Sequence, residues 1–145
     1  MRKVVLANQA EMRLEEARTL RRLVEKRLKA NPVENILLMG DLNEFPSKDP
    51  VRVLIGQRSP RLVDLRPFEK NDGQELSPVN AYDLSRRVTW THFYRKEDRF
   101  SRLDYILASQ GMIRELDSSF VHMMRDWGVA SDHRPVVARF VAKER

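Results

Sequence analysis

The stretch from Ile36 to Pro46 constrains the fold more than any other part of the sequence. It opens with four apolar residues that predict a short buried strand. Gly40 then allows the backbone to turn, and Asp41 and Asn43 follow with one residue between them. On an extended backbone these two side chains would share a face, where a carboxylate and an amide could contact one substrate group. Asp and Asn also form ordinary turns, and a turn is the more frequent explanation of this pattern alone.

Composition predicts one soluble globular domain. The chain has 145 residues, of which 41% are hydrophobic and 33% charged, enough apolar content for a core. The absence of cysteine excludes disulfides, thiolate catalysis and cysteine-ligated zinc. No apolar run approaches the ~20 residues of a membrane-spanning helix, and the amino terminus lacks a signal-peptide apolar core. The sequence leaves the compartment open.

The formal net charge of +6 would favour polyanions such as nucleic acid or an anionic membrane surface. Much of this charge lies within Arg13–Lys29 and Arg86–Arg102, beside acidic residues. That arrangement is also typical of a solvated surface of mixed charge. The charge therefore gives a weak preference for DNA or RNA as a partner.

Hydrophobic periodicity predicts mixed helix and strand. Val4-Val5-Leu6 indicates a short strand within Arg2–Ala7, and apolar residues spaced three and four apart indicate a helix over Gln9–Lys29. Asp49-Pro50 and Gly56 would bound a second helix at Val51–Ile55. The other predicted elements are a strand at Leu62–Leu65, a turn-rich connection over Arg66–Arg87, a hairpin of Thr89–Tyr94 with Arg102–Ala108, a helix at Gln110–Leu116, and strands at Ser119–Met123 and Val136–Val141. This order predicts an α/β fold with a largely antiparallel sheet.

The pentapeptide Ser131–Pro135 precedes the last predicted strand. It combines a carboxylate that can bind metal, an imidazole and a guanidinium, a set suited to a phosphate ester. An exposed loop would be polar in the same way, and the two explanations weigh about equally. His92 and His122 lack such neighbours in the sequence and are interpreted as structural.

Three polar segments follow one another along the chain: Gly40-Asp41-Leu42-Asn43, Arg102–Leu107 and Ser131–Val136. In this order and at these separations they resemble the endonuclease/exonuclease/phosphatase superfamily, the metal-dependent phosphoesterases that include the DNase I-like and abasic-site nucleases. Thr89-Trp90 also lies in its expected place before the second segment. The resemblance runs from about Arg13 to Phe140, and three motifs in sequence make it specific.

The resemblance implies a DNase I-like four-layer α/β/β/α sandwich, of which residues 1–145 would form a single domain portion, about the carboxy-terminal half. It implies a hydrolase that cleaves phosphodiester or phosphomonoester bonds with Mg²⁺ or Mn²⁺. Nucleic acid ranks slightly ahead of phosphoinositide, sphingolipid or nucleotide substrates because the net charge is positive.

The resemblance also implies catalytic roles for four residues. Asp41 would orient or deprotonate the attacking water, and Asn43 would hold the phosphate. His133 would bind the scissile phosphate, with Asp104 orienting its ring. Such positioned charges perform most of an in-line displacement at phosphorus, and a paired Asp would raise the pKa of the imidazole.

The remaining expectations concern metal and substrate. Asp132 and Asp41 would hold the Mg²⁺ or Mn²⁺, since a hard cation takes oxygen ligands and one or two carboxylates suffice. Asn43 and His133 would bind the substrate together with Arg134 and Trp90.

The sequence departs from the family pattern at its start. The family's first half supplies an early Asn, a Glu as the principal metal ligand and a His on a central strand, and this chain begins too late to contain them. Glu11, Glu15 and Glu16 lie on a predicted helix and replace that Glu poorly. We therefore expect the missing half or a second copy to cover an exposed sheet face. The alternative function is a catalytically incomplete half-domain that acts as a binding or assembly piece.

Overall fold

The computed structural model describes residues 2–71, 74–75, 90–122 and 126–142. Its helices and strands are α1 (Arg2–Ala30), β1 (Leu37–Asp41), α2 (Asp49–Ile55), β2 (Val63–Asp64), β3 (Phe68–Asn71), β4 (Gln74–Glu75), β5 (His92–Tyr94), β6 (Arg99–Ser101), β7 (Asp104–Ala108), α3 (Gln110–Ile113), β8 (Leu116–Val121), α4 (Trp127–Ala130) and β9 (Val136–Phe140). Within these ranges no helix has both the length and the apolar character needed to cross a bilayer.

The strands form two main sheets and a small hairpin. One sheet has the order β1-β7-β2, the other the order β4-β3-β8-β9, and β5 pairs with β6. Of the described strand pairs, only β3 with β8 is parallel. The predicted α/β class with largely antiparallel pairing is confirmed.

The central strand β7 is buried on both faces because it lies between two hydrophobic clusters. On one face Leu107 packs with Val24 of α1 and Leu54 of α2. On the other, Ile106 and Ala108 belong to a cluster that includes apolar residues of β9. Burying each large aliphatic side chain contributes roughly 1.5–3 kcal/mol. The layers therefore stack as helices, sheet and second sheet, in agreement with the DNase I-like sandwich.

The predicted strand over Val4–Ala7 is wrong, because α1 begins at Arg2 and runs without interruption to Ala30. A strand needs a partner for its backbone groups, whereas a helix satisfies them internally. The predicted Gln9–Lys29 helix therefore extends towards the amino terminus, although the local β-branched residues favour a strand.

The predicted hairpin is correct at its tip and wrong in its second strand. β5 pairs with β6, which ends at Ser101. The following strand β7 leaves the hairpin and pairs with β1 and β2 instead. The residues of Asp104–Ala108 are mostly buried, so they are stabilised more in the centre of a sheet than at a hairpin edge.

Other boundaries differ by a few residues. The start of the connection Arg66–Arg87 holds β3 and β4, contrary to the prediction, because β3 pairs with β8. The rest of that connection, Thr89 and Met123 lie outside the described residues. The predicted helix Gln110–Leu116 ends at Ile113, where the chain turns into β8.

Candidate active site

An imidazole–carboxylate pair lies at the centre of the candidate site. Asp104 begins β7 and His133 precedes β9, and the Nδ1 atom of His133 lies 2.9 Å from the Oδ2 atom of Asp104. Because an ionised carboxylate only accepts hydrogen bonds, Nδ1 is the donor. The pair fixes the orientation of the ring and leaves Nε2 as the nitrogen that can contact a substrate.

The surroundings of His133 favour its charged form. Burial lowers the pKa of His133, but the hydrogen bond from Nδ1 to Asp104 and the negative charges of Asp104, Asp41 and Asp132 outweigh it, so the pKa lies above its ordinary value. A protonated imidazole suits an anionic ligand. The three carboxylates therefore favour a charged imidazole at this position.

Asp41 joins this pair through the sheet. It ends β1 directly opposite Asp104 on β7 in the antiparallel register. One potential ligand atom from each of Asp41, Asp104 and His133 lies within 4.8 Å of the others. The motifs of Asp41 and Asp104 therefore lie side by side because β1 and β7 are neighbours. The motif of His133 reaches them from the loop that precedes β9.

Asn43 reaches the site by a turn and not by an extended strand. Its φ of +52° lies in the left-handed region, which Asn tolerates well. The Asp41 Oδ1 atom accepts a hydrogen bond of 2.8 Å from the Asn43 backbone N–H. Of the two alternatives that the sequence leaves open, the structure has the turn, and the amide still lies beside the carboxylate, with Nδ2 of Asn43 3.5 Å from Oδ2 of Asp41.

Asp132 and His92 form a second group on the other side of His133. The side chain of Asp132 is 71% exposed, and its Oδ2 atom lies 3.5 Å from Nε2 of His92. The ring centroids of His92 and His133 are 4.6 Å apart, and their backbones form an antiparallel bridge. Strand pairing thus gives His92 neighbours that its sequence context does not show, and its interpretation as structural stays a prediction. His122 is exposed and lies edge-on to Phe120.

Arg134 and Trp90 lie against each other beneath this surface. The Arg134 guanidinium carbon is 4.1 Å from the centroid of the Trp90 ring, and Nη1 donates a hydrogen bond to the Trp90 carbonyl. Arg134 is only 1% exposed. Its expected contact with substrate stays a prediction, and this burial indicates that it supports the loop.

Thr91 is a residue that sequence reasoning missed. It is fully buried, and its Oγ1 atom accepts hydrogen bonds from the backbone N–H groups of Leu103 and Asp104 at 3.0 and 3.1 Å. Its carbonyl accepts a third from the N–H of Arg134. Thr91 thus joins the segment before Asp104 to the segment that carries His133. A single threonine in a predicted strand carries no sequence signal for this role.

Asp104, His133 and Arg134 border a cleft of about 400 Å³, whose lining also includes Gly40. That volume suits a small molecule or one part of a larger substrate. The neighbouring carboxylates and imidazoles form two groups that could hold a metal ion, both of which include His133. Carboxylate oxygens suit a divalent cation, so the residues present fit the expected divalent metal ion.

A sequence model of the endonuclease/exonuclease/phosphatase family matches residues 10–133 of the chain. The protein therefore belongs to this family, whose name denotes nucleases and phosphatases, enzymes that hydrolyse phosphate esters. Members are generally dependent on a divalent metal ion, and the acidic and histidine groups described above could bind one. No curated protein and no solved structure matches the chain significantly.

Proposed function

We propose that this protein hydrolyses phosphodiester bonds, or phosphomonoesters, with a divalent cation in the cleft beside His133. The observation that carries the proposal is the hydrogen-bonded pair of Asp104 and His133 next to Asp41, within a chain of this family. The antiparallel register of β1 with β7 and the loop before β9 bring together three segments that are far apart in sequence. Polar turns without a shared function would not need to lie close together in this way.

In the proposed reaction His133 donates a hydrogen bond from Nε2 to a phosphate oxygen. Its imidazolium stabilises the negative charge that grows on the equatorial oxygens in the transition state. Asp104 holds the ring in this orientation. Asp41 accepts a proton from the attacking water or orients it, and the Asn43 amide binds a second phosphate oxygen.

Asp41 and Asp132 would hold the Mg²⁺ or Mn²⁺, Asp41 in the group with Asp104 and His133, and Asp132 in the group with His92 and His133. When bound, the cation neutralises phosphate charge and favours departure of the leaving oxygen. Both side chains belong to residues that are exposed to solvent, so water can complete the coordination. The carboxylates would also prevent His133 and the cation from repelling one another strongly.

Nucleic acid is our proposed substrate class, with DNA and RNA as the two candidates. The support is the net charge of +6 on the chain. Phosphoinositides, sphingolipids and free nucleotides have the same reactive group and rank behind it.

Hydrolysis assays with the wild-type chain test the function. The substrates are bis(p-nitrophenyl) phosphate, p-nitrophenyl phosphate, plasmid DNA and a single-stranded RNA, each with Mg²⁺, with Mn²⁺ and with EDTA. We expect cleavage of the diester and of nucleic acid with metal, and none with EDTA. A folded sample that cleaves none of these substrates with either metal would contradict the proposal for this chain.

The second candidate function is an incomplete half-domain that binds or assembles without turnover. Neither metal-capable group among the described residues contains a glutamate, which favours this alternative. In it, a second copy or a separate first half covers the exposed sheet face and completes the ligands. Titration calorimetry with Mg²⁺ separates the two functions: an enzyme should show binding that Asp132→Asn weakens, whereas the half-domain should show none.

A further inference from the structure

We propose that His92 is a positioning residue of this site, which holds the Asp132 carboxylate in place for the divalent cation. This inference rests on the proposed function, because it assigns a role at the same site. It concerns a residue that none of the three sequence motifs contains.

The contact between the two side chains carries the inference. The Nε2 atom of His92 lies 3.5 Å from the Oδ2 atom of Asp132, and the side chain of His92 is only 15% exposed against 71% for Asp132. A carboxylate so open to solvent samples several rotamers unless a neighbour restrains it. His92 offers that restraint from a side chain that is itself nearly enclosed.

His92 is held in place from two sides. Within the hairpin it lies opposite Ser101 of β6. On its other side it forms an antiparallel bridge with His133, and the next residue, Phe93, donates a backbone hydrogen bond of 3.2 Å to the Asp132 carbonyl. The strand β5 is therefore fixed to the Asp132–His133 loop through the backbone, independently of any side chain.

The result is two imidazole–carboxylate pairs side by side. In one, Asp104 orients the ring of His133. In the other pair the roles are exchanged: the ring of His92 is the orienting group, and the Asp132 carboxylate is the group that it orients. The two rings lie 4.6 Å apart at 40°, so His92 also limits movement of His133. Removal of a group that orients a metal ligand typically costs about 10–100-fold in metal affinity or activity.

The test measures Mn²⁺ binding by titration calorimetry without substrate, and the Mn²⁺ concentration for half-maximal hydrolysis. The key variants are His92→Gln and His92→Asn. The Nε2 atom of glutamine is as many bonds from Cα as Nε2 of histidine, whereas the asparagine amide is one bond shorter. We expect His92→Asn to weaken Mn²⁺ binding about 10-fold and His92→Gln to restore most of it.

His122→Ala is the matched control, since His122 is exposed and lies in neither metal-capable group of the described residues. It should bind Mn²⁺ as the wild type does. A purely structural role for His92 would lower the melting temperature of the Asn and Gln variants and leave Mn²⁺ affinity of the folded protein unchanged. That result would overturn the inference.

A double-mutant cycle keeps the inference testable if one variant folds poorly. In the Asp132→Asn background, His92→Asn should have no further effect on Mn²⁺ binding, because the contact is already lost. Equal losses of Mn²⁺ affinity from His92→Asn in both backgrounds would contradict the inference. A wild-type chain whose Mn²⁺ affinity depends on His92 as expected, but which hydrolyses nothing, would contradict the proposed function alone.

Discussion

At the scale of single residues, the carboxylates around His133 set its charge. Asp104 both orients the ring and stabilises its protonated form, so the two residues act as a unit. The pKa of His133 is raised in the folded protein relative to the free imidazole. This shift makes folding stability depend on pH, since a group that binds protons more tightly when folded links the two equilibria.

We predict that Asp104→Asn will lower the free energy of unfolding more at acidic than at alkaline pH. Stabilisation by the His133 pair is fully present below the unfolded pKa of about 6.5. It is lost as pH rises through the higher folded pKa. The difference between wild type and variant should therefore be largest below about pH 6.5 and should shrink as the pH rises above it.

Urea unfolding at several pH values measures this difference. Asp117→Asn on β8 is the control, since Asp117 is exposed and should give a difference that does not change with pH. If the effect of Asp104→Asn were the same across this pH range, Asp104 would not be what raises the pKa of His133.

At the scale of secondary-structure elements, Thr91 links the hairpin β5–β6 to the site. Its hydroxyl satisfies two backbone N–H groups before β7, and its carbonyl satisfies one before β9. The segments that carry Asp104 and His133 are thereby attached to one buried residue. These hydrogen bonds hold the segment of Asp104 and the segment of His133 next to each other.

We predict that Thr91→Val will destabilise the protein by about 2 kcal/mol, because valine keeps the shape but leaves two N–H groups without their acceptor. Thr91→Ser keeps the hydroxyl and should cost less than about 1 kcal/mol, the loss of one buried methyl group. Thermal unfolding of both variants checks the prediction. Equal losses would mean that packing of the methyl group, and not the hydroxyl, joins these elements.

The sequence predicts elements best where one local pattern decides. The long helix and the short helix at Asp49–Ile55 follow from periodicity and from proline near the helix start. The strand that pairs with β7 cannot be predicted in this way. The apolar content of Asp104–Ala108 fits the second strand of a hairpin and the central strand of a sheet equally well. Only competition with β1 for hydrogen bonds decides between them.

At the scale of the whole molecule, the candidate site depends on which strands are neighbours. The motifs identify Asp41, Asp104 and His133, since each has a recognisable sequence context. His92 has none, because its proximity to His133 arises from a single backbone bridge between segments about forty positions apart. Likewise, burial of Arg134 depends on the Trp90 ring and cannot be read from the polar pentapeptide. The positions of the candidate site residues were thus easier to predict than the contacts that support them.

The most direct test of the central claim is the turnover of bis(p-nitrophenyl) phosphate with Mg²⁺ by the wild type, His133→Ala and His122→Ala. The account predicts that His133→Ala loses at least about 10²-fold in kcat, the scale of an electrostatic or acid–base group, with folding intact. His122→Ala should match the wild type. Metal-dependent turnover that persists unchanged in His133→Ala would contradict the assignment of this cleft as the active site.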